Sequence, residues 1–249
     1  MRILQLINSL GSGGKERQFV ELVTGLNTRP DCDLELAVMN RTIHYEEIYD
    51  TGLQLNFLIR KIKKDPAILY ALYRICKRTR ADIIHTWDTM TTTYALPMAK
   101  LLGIRIVNGS IRNATPVNLD GASGVYHRFL LSQSDVVVSN SVAGLKASRV
   151  SSRTGICIHN GFDHSRNDNL EPKERVKERF GIGTDKVIGM VANLSEKKDI
   201  DTYMTAAELV LTQRNDVTFL FVGGGNEEME RKLVHFQAAN HRFLHLGLQ

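Results

Sequence analysis

Along the first 160 residues, short apolar runs alternate with segments in which apolar positions recur every three or four residues. The opening run, Arg2-Ile3-Leu4-Gln5-Leu6-Ile7-Asn8, is too short for a helix and reads as a strand. Phe19, Leu22, Val23 and Leu26 then fall at helical spacing, so the chain begins strand, tight loop, amphipathic helix. The same alternation predicts strands at 34–39, 53–58, 81–88, 104–110, 135–139 and 155–159. Helices are expected at 46–50, 66–79, 91–102, near 126–131 and from Ser141, with Pro97 kinking the one at 91–102. Asp65-Pro66 supplies a cap and a first-turn proline for the helix at 66–79, whose apolar face is Ile68, Leu69, Leu72, Ile75 and Cys76.

Residues 160–169 hold little apolar beyond Phe162 and read as a linker. A second series follows, with helices at 172–180, 200–211 and 227–239 and strands at 187–192, 217–222 and 243–246. The fold class is therefore α/β: two Rossmann-like domains, residues 1–160 and 161–249, each a parallel sheet with helices on both faces. Ligands of such sheets gather at the carboxyl ends of the strands.

At the end of the first strand stands the glycine cluster of residues 9–17. A glycine loop running into a helix N-terminus lets backbone N–H groups approach an anion, and phosphate is the expected guest. A dinucleotide fingerprint starting at Gly11 fails because Glu16 stands at its third glycine. A phosphate loop of the G-K-[ST] kind fails because Glu16 follows Lys15 and Ser9 takes the place of the first glycine.

Composition narrows the class. The net charge of +5 divides unevenly: residues 1–160 hold 20 Lys and Arg against 13 Asp and Glu, and residues 161–249 hold 12 against 14. The basic excess sits at Arg60-Lys61-Ile62-Lys63-Lys64 and around Arg74, Lys77, Arg78 and Arg80; it reads either as the solvated face of a packed helix or, functionally, as a contact for an anionic membrane surface. Nucleic acid is not expected, since no aromatic platform or binding motif accompanies the charge. Cys32, Cys76 and Cys157 form no C-x-x-C pair and are read as ordinary thiols of a reducing compartment, and no run approaches membrane-spanning length. A cytoplasmic protein, peripheral on the inner face of the membrane, is the expectation.

Several short motifs, in order, carry a family resemblance. Gly13-Gly14-Lys15-Glu16-Arg17 resembles the G-G-x-E-R loop of retaining glycosyltransferases of the GT-B fold, of the family 4 or group 1 type. Ala81-Asp82-Ile83-Ile84-His85 is similar to that family's strand ending in histidine, and Asn160-Gly161-Phe162-Asp163 to its N-G-V-D signature. The segment from Val187 to Asp199 resembles the G-R-L-x-x-x-K-G stretch that holds the donor diphosphate, with Lys198 at its lysine, and Phe221–Asn226 resembles the V-G-x-G loop. The resemblance implies a hexosyltransferase that moves a sugar from a nucleotide-sugar to a glycan or lipid-linked acceptor with retention, in cell-surface polysaccharide biosynthesis. It implies no cofactor and no metal beyond the nucleotide-sugar donor itself. Gly13, Gly14, Asn193, Lys198 and Gly223 are the implied donor-binding positions, and Arg112 and His85 the candidate catalytic ones.

The departures are informative. Asn193 replaces the family's arginine at the diphosphate, leaving more of the neutralisation to Lys198. Ser110-Ile111-Arg112-Asn113 lacks the histidine that many members present there, which makes Arg112 the polar group best placed to reach substrate. His85, at the end of a buried strand, also fits a hydrogen-bonded core histidine. His241 and His245 lack a metal-binding pattern, and Asp82 and Asp88 are too far apart along one strand to form a hydrolytic pair. The family's E-x7-E segment is absent, so the second domain reads as incomplete and the chain as given as inactive, with Phe219, Phe221, Phe243 and Leu246 open to solvent. Two alternatives remain: a nucleotide-sugar epimerase of the same fold, and a non-catalytic nucleotide-sugar-binding or membrane-docking module.

Overall fold

The computed structural model describes residues 1–62, 65–112 and 121–249, with the backbone alone of Lys197. They form two compact units, Met1–His164 and Ser165–Gln249.

In the first unit the chain runs β1 (Arg2–Ile7), α1 (Gly14–Asn27), β2 (Asp33–Val38), a 3-10 turn at Glu46–Thr51, β3 (Leu55–Phe57), α2 (Ala67–Thr79) and β4 (Ile83–Thr86). It continues with α3 (Thr89–Leu102), β5 (Arg105–Ile111), α4 (Ala122–Ser132), β6 (Val136–Ser139), α5 (Val142–Ala147) and β7 (Gly155–Cys157). The seven strands make one sheet in the order β3-β2-β1-β4-β5-β6-β7, every neighbouring pair parallel.

β1 shows why its run is apolar throughout instead of alternating. Leu4 and Leu6 pack with Leu72 and Ile75 of α2 and Tyr94 of α3, while Ile3 and Ile7 pack with Phe19, Val20 and Val23 of α1. A strand with a helical layer on each face has no solvent side. Gln5 is the buried exception, and its Oε1 accepts the Trp87 indole N–H at 3.0 Å.

The strand expected at 81–88 is shorter because both of its carboxylates are used at the ends. Asp82 accepts the Arg2 amide at 2.8 Å and pairs with its guanidinium at 2.9 Å, at the amino end of the sheet. Asp88 caps α3, accepting the Thr91 amide at 2.9 Å in a reciprocal capping box. Asp65 is tied to the start of α2 in a different way from a simple cap: its carboxylate accepts the amides of Lys61 and Ala67, both at 2.9 Å. The expected apolar face of α2 is buried at Ile68, Leu72, Ile75 and Cys76 and half-buried at Leu69. Arg74, Lys77 and Arg78 are exposed, Arg78 pairing with Glu35; Lys63 and Lys64 lie outside the described residues.

The segment expected to be a linker contains a 3-10 turn, His164–Asn167. The second unit then runs α6 (Lys173–Arg179), β8 (Lys186–Val191), α7 (Ile200–Gln213), β9 (Val217–Val222), α8 (Glu227–Ala239) and β10 (Phe243–His245). Its strands form a parallel sheet in the order β10-β9-β8. Here one expectation is corrected: Phe219, Phe221 and Phe243 are 3%, 0% and 0% exposed, and Leu246 is half-buried. β9 is central and its phenylalanines pack with Tyr203 and Leu233, whereas β8 pairs only with β9 among the described residues and leaves Val187, Ile188 and Val191 exposed. Among the described residues no helix is long and apolar enough to cross a membrane.

Candidate functional site

In the first unit the strand order reverses direction between β1 and β4, and the crevice at their carboxyl ends is where an open parallel sheet receives ligands. Asn8, Lys15 and Asp88 meet there. The Asp88 carboxylate accepts the Asn8 amide at 3.0 Å, and the Lys15 ammonium lies 3.4 Å from it and 3.2 Å from Glu16. One strand further along, β4 ends in His85, Thr86 and Trp87, and β5 ends in an irregularity between Asn108 and Ile111. Such a bulge re-aims the residues that follow it.

The bulge turns Arg112 back over the sheet. Its guanidinium sits 4.1 Å from the centre of the Trp87 ring, and the His85 ring lies 5.0 Å from the same indole. Gly109 is required for this approach, since a Cβ there would stand 2.8 Å from Arg112 Nη2, 3.0 Å from His85 Nε2 and 3.1 Å from the Thr86 carbonyl oxygen. The two candidate catalytic residues are thus brought together. His85 is 8% exposed, and burial, followed by the neighbouring Arg112 charge, pushes its pKa down to about 3, so the ring is neutral near pH 7. Burial lowers Arg112 to about 10 against the opposing attraction of Glu16. His85 Nε2 and Arg112 Nε are buried without a hydrogen-bond partner, which differs from the hydrogen-bonded core histidine the sequence also allowed.

The glycine loop is tied down from the opposite side. Tyr45 donates its hydroxyl to the Gly13 carbonyl at 2.9 Å, and Arg17 lies 5.3 Å from the Tyr45 ring centre. The Glu16 carboxylate packs against Gly13, where it would stand 2.3 Å from an added Cβ, while Gly14 opens α1 with free space around it. Residues 160–163 reach the same helix, because Gln18 and Gly161 exchange two hydrogen bonds of 2.9 Å.

In the second unit the loops after β8 and β9 run side by side. Leu194 donates its amide to the Gly224 carbonyl at 3.1 Å, and Gly223, at φ 141°, would put a Cβ 1.8 Å from the Ala192 carbonyl oxygen. Asn193 and Gly223 are therefore neighbours at the carboxyl edge of this sheet. Lys198 closes the 3-10 turn Glu196–Lys198 just before α7, with its side chain exposed. The start of α8 already holds carboxylates: Glu230 accepts the Gly225 amide at 2.9 Å, with Glu227 and Glu228 in the same turn.

His245 makes a 3.1 Å contact with the Gly223 carbonyl through Nε2, and among the described residues no three His, Cys, Asp or Glu side chains are grouped to hold a metal ion. Asn113 lies outside the described residues. Glu16, Trp87, Asp88 and Gly109 were not singled out for this site from sequence. The available signals were the lone tryptophan, the Asp-x-x-Thr capping pattern at Asp88 and a glycine inside an apolar strand.

Both units are Rossmann-like, with strands whose carboxyl edges present the polar loops, and the pair defines the chain as a member of the GT-B fold class. No family model and no curated protein matches the sequence. Solved structures do match over 100% of this chain. HepE from Anabaena in complex with UDP-glucose has a TM-score of 0.80 at 15% identity and is covered over 69% of its length. A glycosyltransferase from Rickettsia africae has a TM-score of 0.79 at 18% identity and 68% coverage. UDP-GlcNAc 2-epimerase from Neisseria meningitidis bound to UDP-GlcNAc has a TM-score of 0.67 at 12% identity and 73% coverage. At these identities the likeness is one of fold.

Proposed function

We propose that the protein transfers a hexose from a nucleoside-diphosphate sugar to a glycan or lipid-linked acceptor with retention of configuration, in the making of cell-surface polysaccharide. The observation that carries this reading is the meeting of Arg112 and His85 beside the crevice of the first sheet, with Arg112 Nε and His85 Nε2 buried and unpartnered among the described residues. Fixed donors already held in place stabilise charge on a departing phosphate without reorganising. In this scheme Arg112 supplies the cation, and neutral His85 a hydrogen bond to the sugar. Lys198, Asn193 and the Gly223 loop hold the donor diphosphate. Gly13 and Gly14 are the backbone donors of the first unit in this scheme, the Gly13 amide facing the Tyr45 hydroxyl at 3.4 Å. The reading places the protein in the cytoplasm, on the inner face of the membrane, where the basic surface of the first unit meets anionic lipid.

The same-fold alternative is a nucleotide-sugar epimerase, favoured by the likeness to the Neisseria epimerase. Proton NMR of UDP-glucose and UDP-GlcNAc incubated with the protein separates the two. The transferase reading expects UDP release that depends on added acceptor and an equatorial anomeric proton in the product. A new UDP-sugar formed without acceptor would replace it with the epimerase reading, and UDP-sugar binding without turnover under either condition would leave a binding module.

A further inference from the structure

We infer that the first unit binds a long-chain lipid phosphate, its hydrocarbon in a cavity between α2, α3 and α4 and its phosphate at Arg60. The inference deepens the transferase reading, whose acceptor it specifies. The cavity measures about 980 Å³, within the range of small-molecule sites; its apolar walls are Pro66, Leu69, Met90, Tyr94, Pro97 and Tyr126, and Asn8, Lys15 and Asp88 of the crevice described above also line it.

Its hydroxyl groups are mostly spoken for. Thr93 donates to the Thr89 carbonyl at 2.8 Å and accepts from Tyr126 at 3.1 Å, and Asp88 accepts the Asn8 and Thr91 amides and pairs with Lys15, so few groups remain to recognise the many hydroxyls of a sugar. An aliphatic chain needs no hydrogen bonds from such a surface.

The charge lies next door. Arg60 lines this cavity and also an adjoining groove of about 590 Å³, together with Arg41 and Lys61 and with no carboxylate among the groove's lining residues. Arg60 contacts the Met90 thioether at 3.4 Å, and Arg41 lies 5.3 Å from the Phe57 ring centre; among the described residues neither pairs with a carboxylate. Two cations unpaired by carboxylates beside an apolar cavity match an amphipathic anion in both halves. Ile59 and Ile62, 38% and 64% exposed, border the same groove and suit an approach from a membrane surface.

Calorimetric titration of the full chain with dodecyl phosphate, octyl phosphate, inorganic phosphate and dodecyl maltoside, each below its micelle concentration, tests the assignment. Burial of a methylene is worth a factor of about four, so octyl phosphate should bind about 10²-fold more weakly than dodecyl phosphate. Inorganic phosphate and dodecyl maltoside should bind far more weakly than either. Arg60→Gln should weaken dodecyl phosphate about 10- to 100-fold at unchanged melting temperature, as for loss of a charge-assisted hydrogen bond. Equal affinity for the two alkyl phosphates would remove the hydrocarbon site, and equal affinity for dodecyl phosphate and dodecyl maltoside, or no effect of Arg60→Gln, would remove the phosphate site. UDP titrated into the same protein keeps the two readings apart: UDP binding without alkyl phosphate binding overturns only the lipid inference, and the converse overturns the donor reading while leaving the lipid site standing.

Discussion

Arg112 lies against the indole of Trp87 and, among the described residues, has no carboxylate partner, and its Nε is buried and unpaired. Removing it deletes a cation–π contact worth about 0.5–2 kcal/mol and at the same time an unsatisfied buried group costing about 1–3 kcal/mol. The two nearly cancel. Arg112→Ala should therefore leave the melting temperature within a few degrees of the parent while lowering sugar transfer by about 10²-fold or more, and unimpaired transfer would take Arg112 out of the chemistry. His85 gives a pH signature. Its pKa in the folded protein is depressed to about 3 by burial, whereas the unfolded chain binds that proton near the ordinary value of about 6.5. Stability from this group is complete above pH 6.5 and is lost as pH falls toward 3, at about 1.4 kcal/mol per pH unit for one proton. His85→Gln should flatten the denaturation free energy over that window relative to the parent; an unchanged slope would show that the imidazole is not held neutral.

At the scale of elements, periodicity alone disclosed nearly every strand and helix, because a buried parallel strand is apolar at each position and an amphipathic helix repeats every three to four residues. The ends were less legible, since they depend on partners distant in sequence: Asp82 meets Arg2, and Asp88 meets Asn8 and Lys15. The exposure of β8 in place of the β9 phenylalanines follows from strand order, which no local pattern states. The β5 bulge was equally hidden, although Gly109 marked it. Gly109→Ala forces a methyl group against the Thr86 carbonyl as well as the two candidate catalytic side chains. The expected result is a loss of about 1–3 kcal/mol in chemical denaturation, the usual cost of overpacking, together with loss of transfer. A stable, fully active variant would mean that Arg112 and His85 need not be held so close.

Across the whole molecule, the first unit carries the basic excess and the apolar cavity, and the second carries the loops of Asn193, Lys198 and Gly223. The family resemblance carried by Gly13-Gly14-Lys15-Glu16-Arg17 and by the segment ending at Asp199 pointed to the same fold that the solved structures share over the full chain. Sequence could not disclose that Glu16 closes on Gly13, or that Glu230 occupies the start of α8, because both depend on side chains folding back onto their own loops. The central claim is that the second unit holds the diphosphate of a nucleotide-sugar through Lys198. Calorimetric titration with UDP of the parent and of Lys198→Ala tests it most directly. The account predicts saturable binding by the parent and a loss of about 1.5–3 kcal/mol in the variant, the worth of a hydrogen bond to a charged group; equal affinity in the two proteins would contradict it.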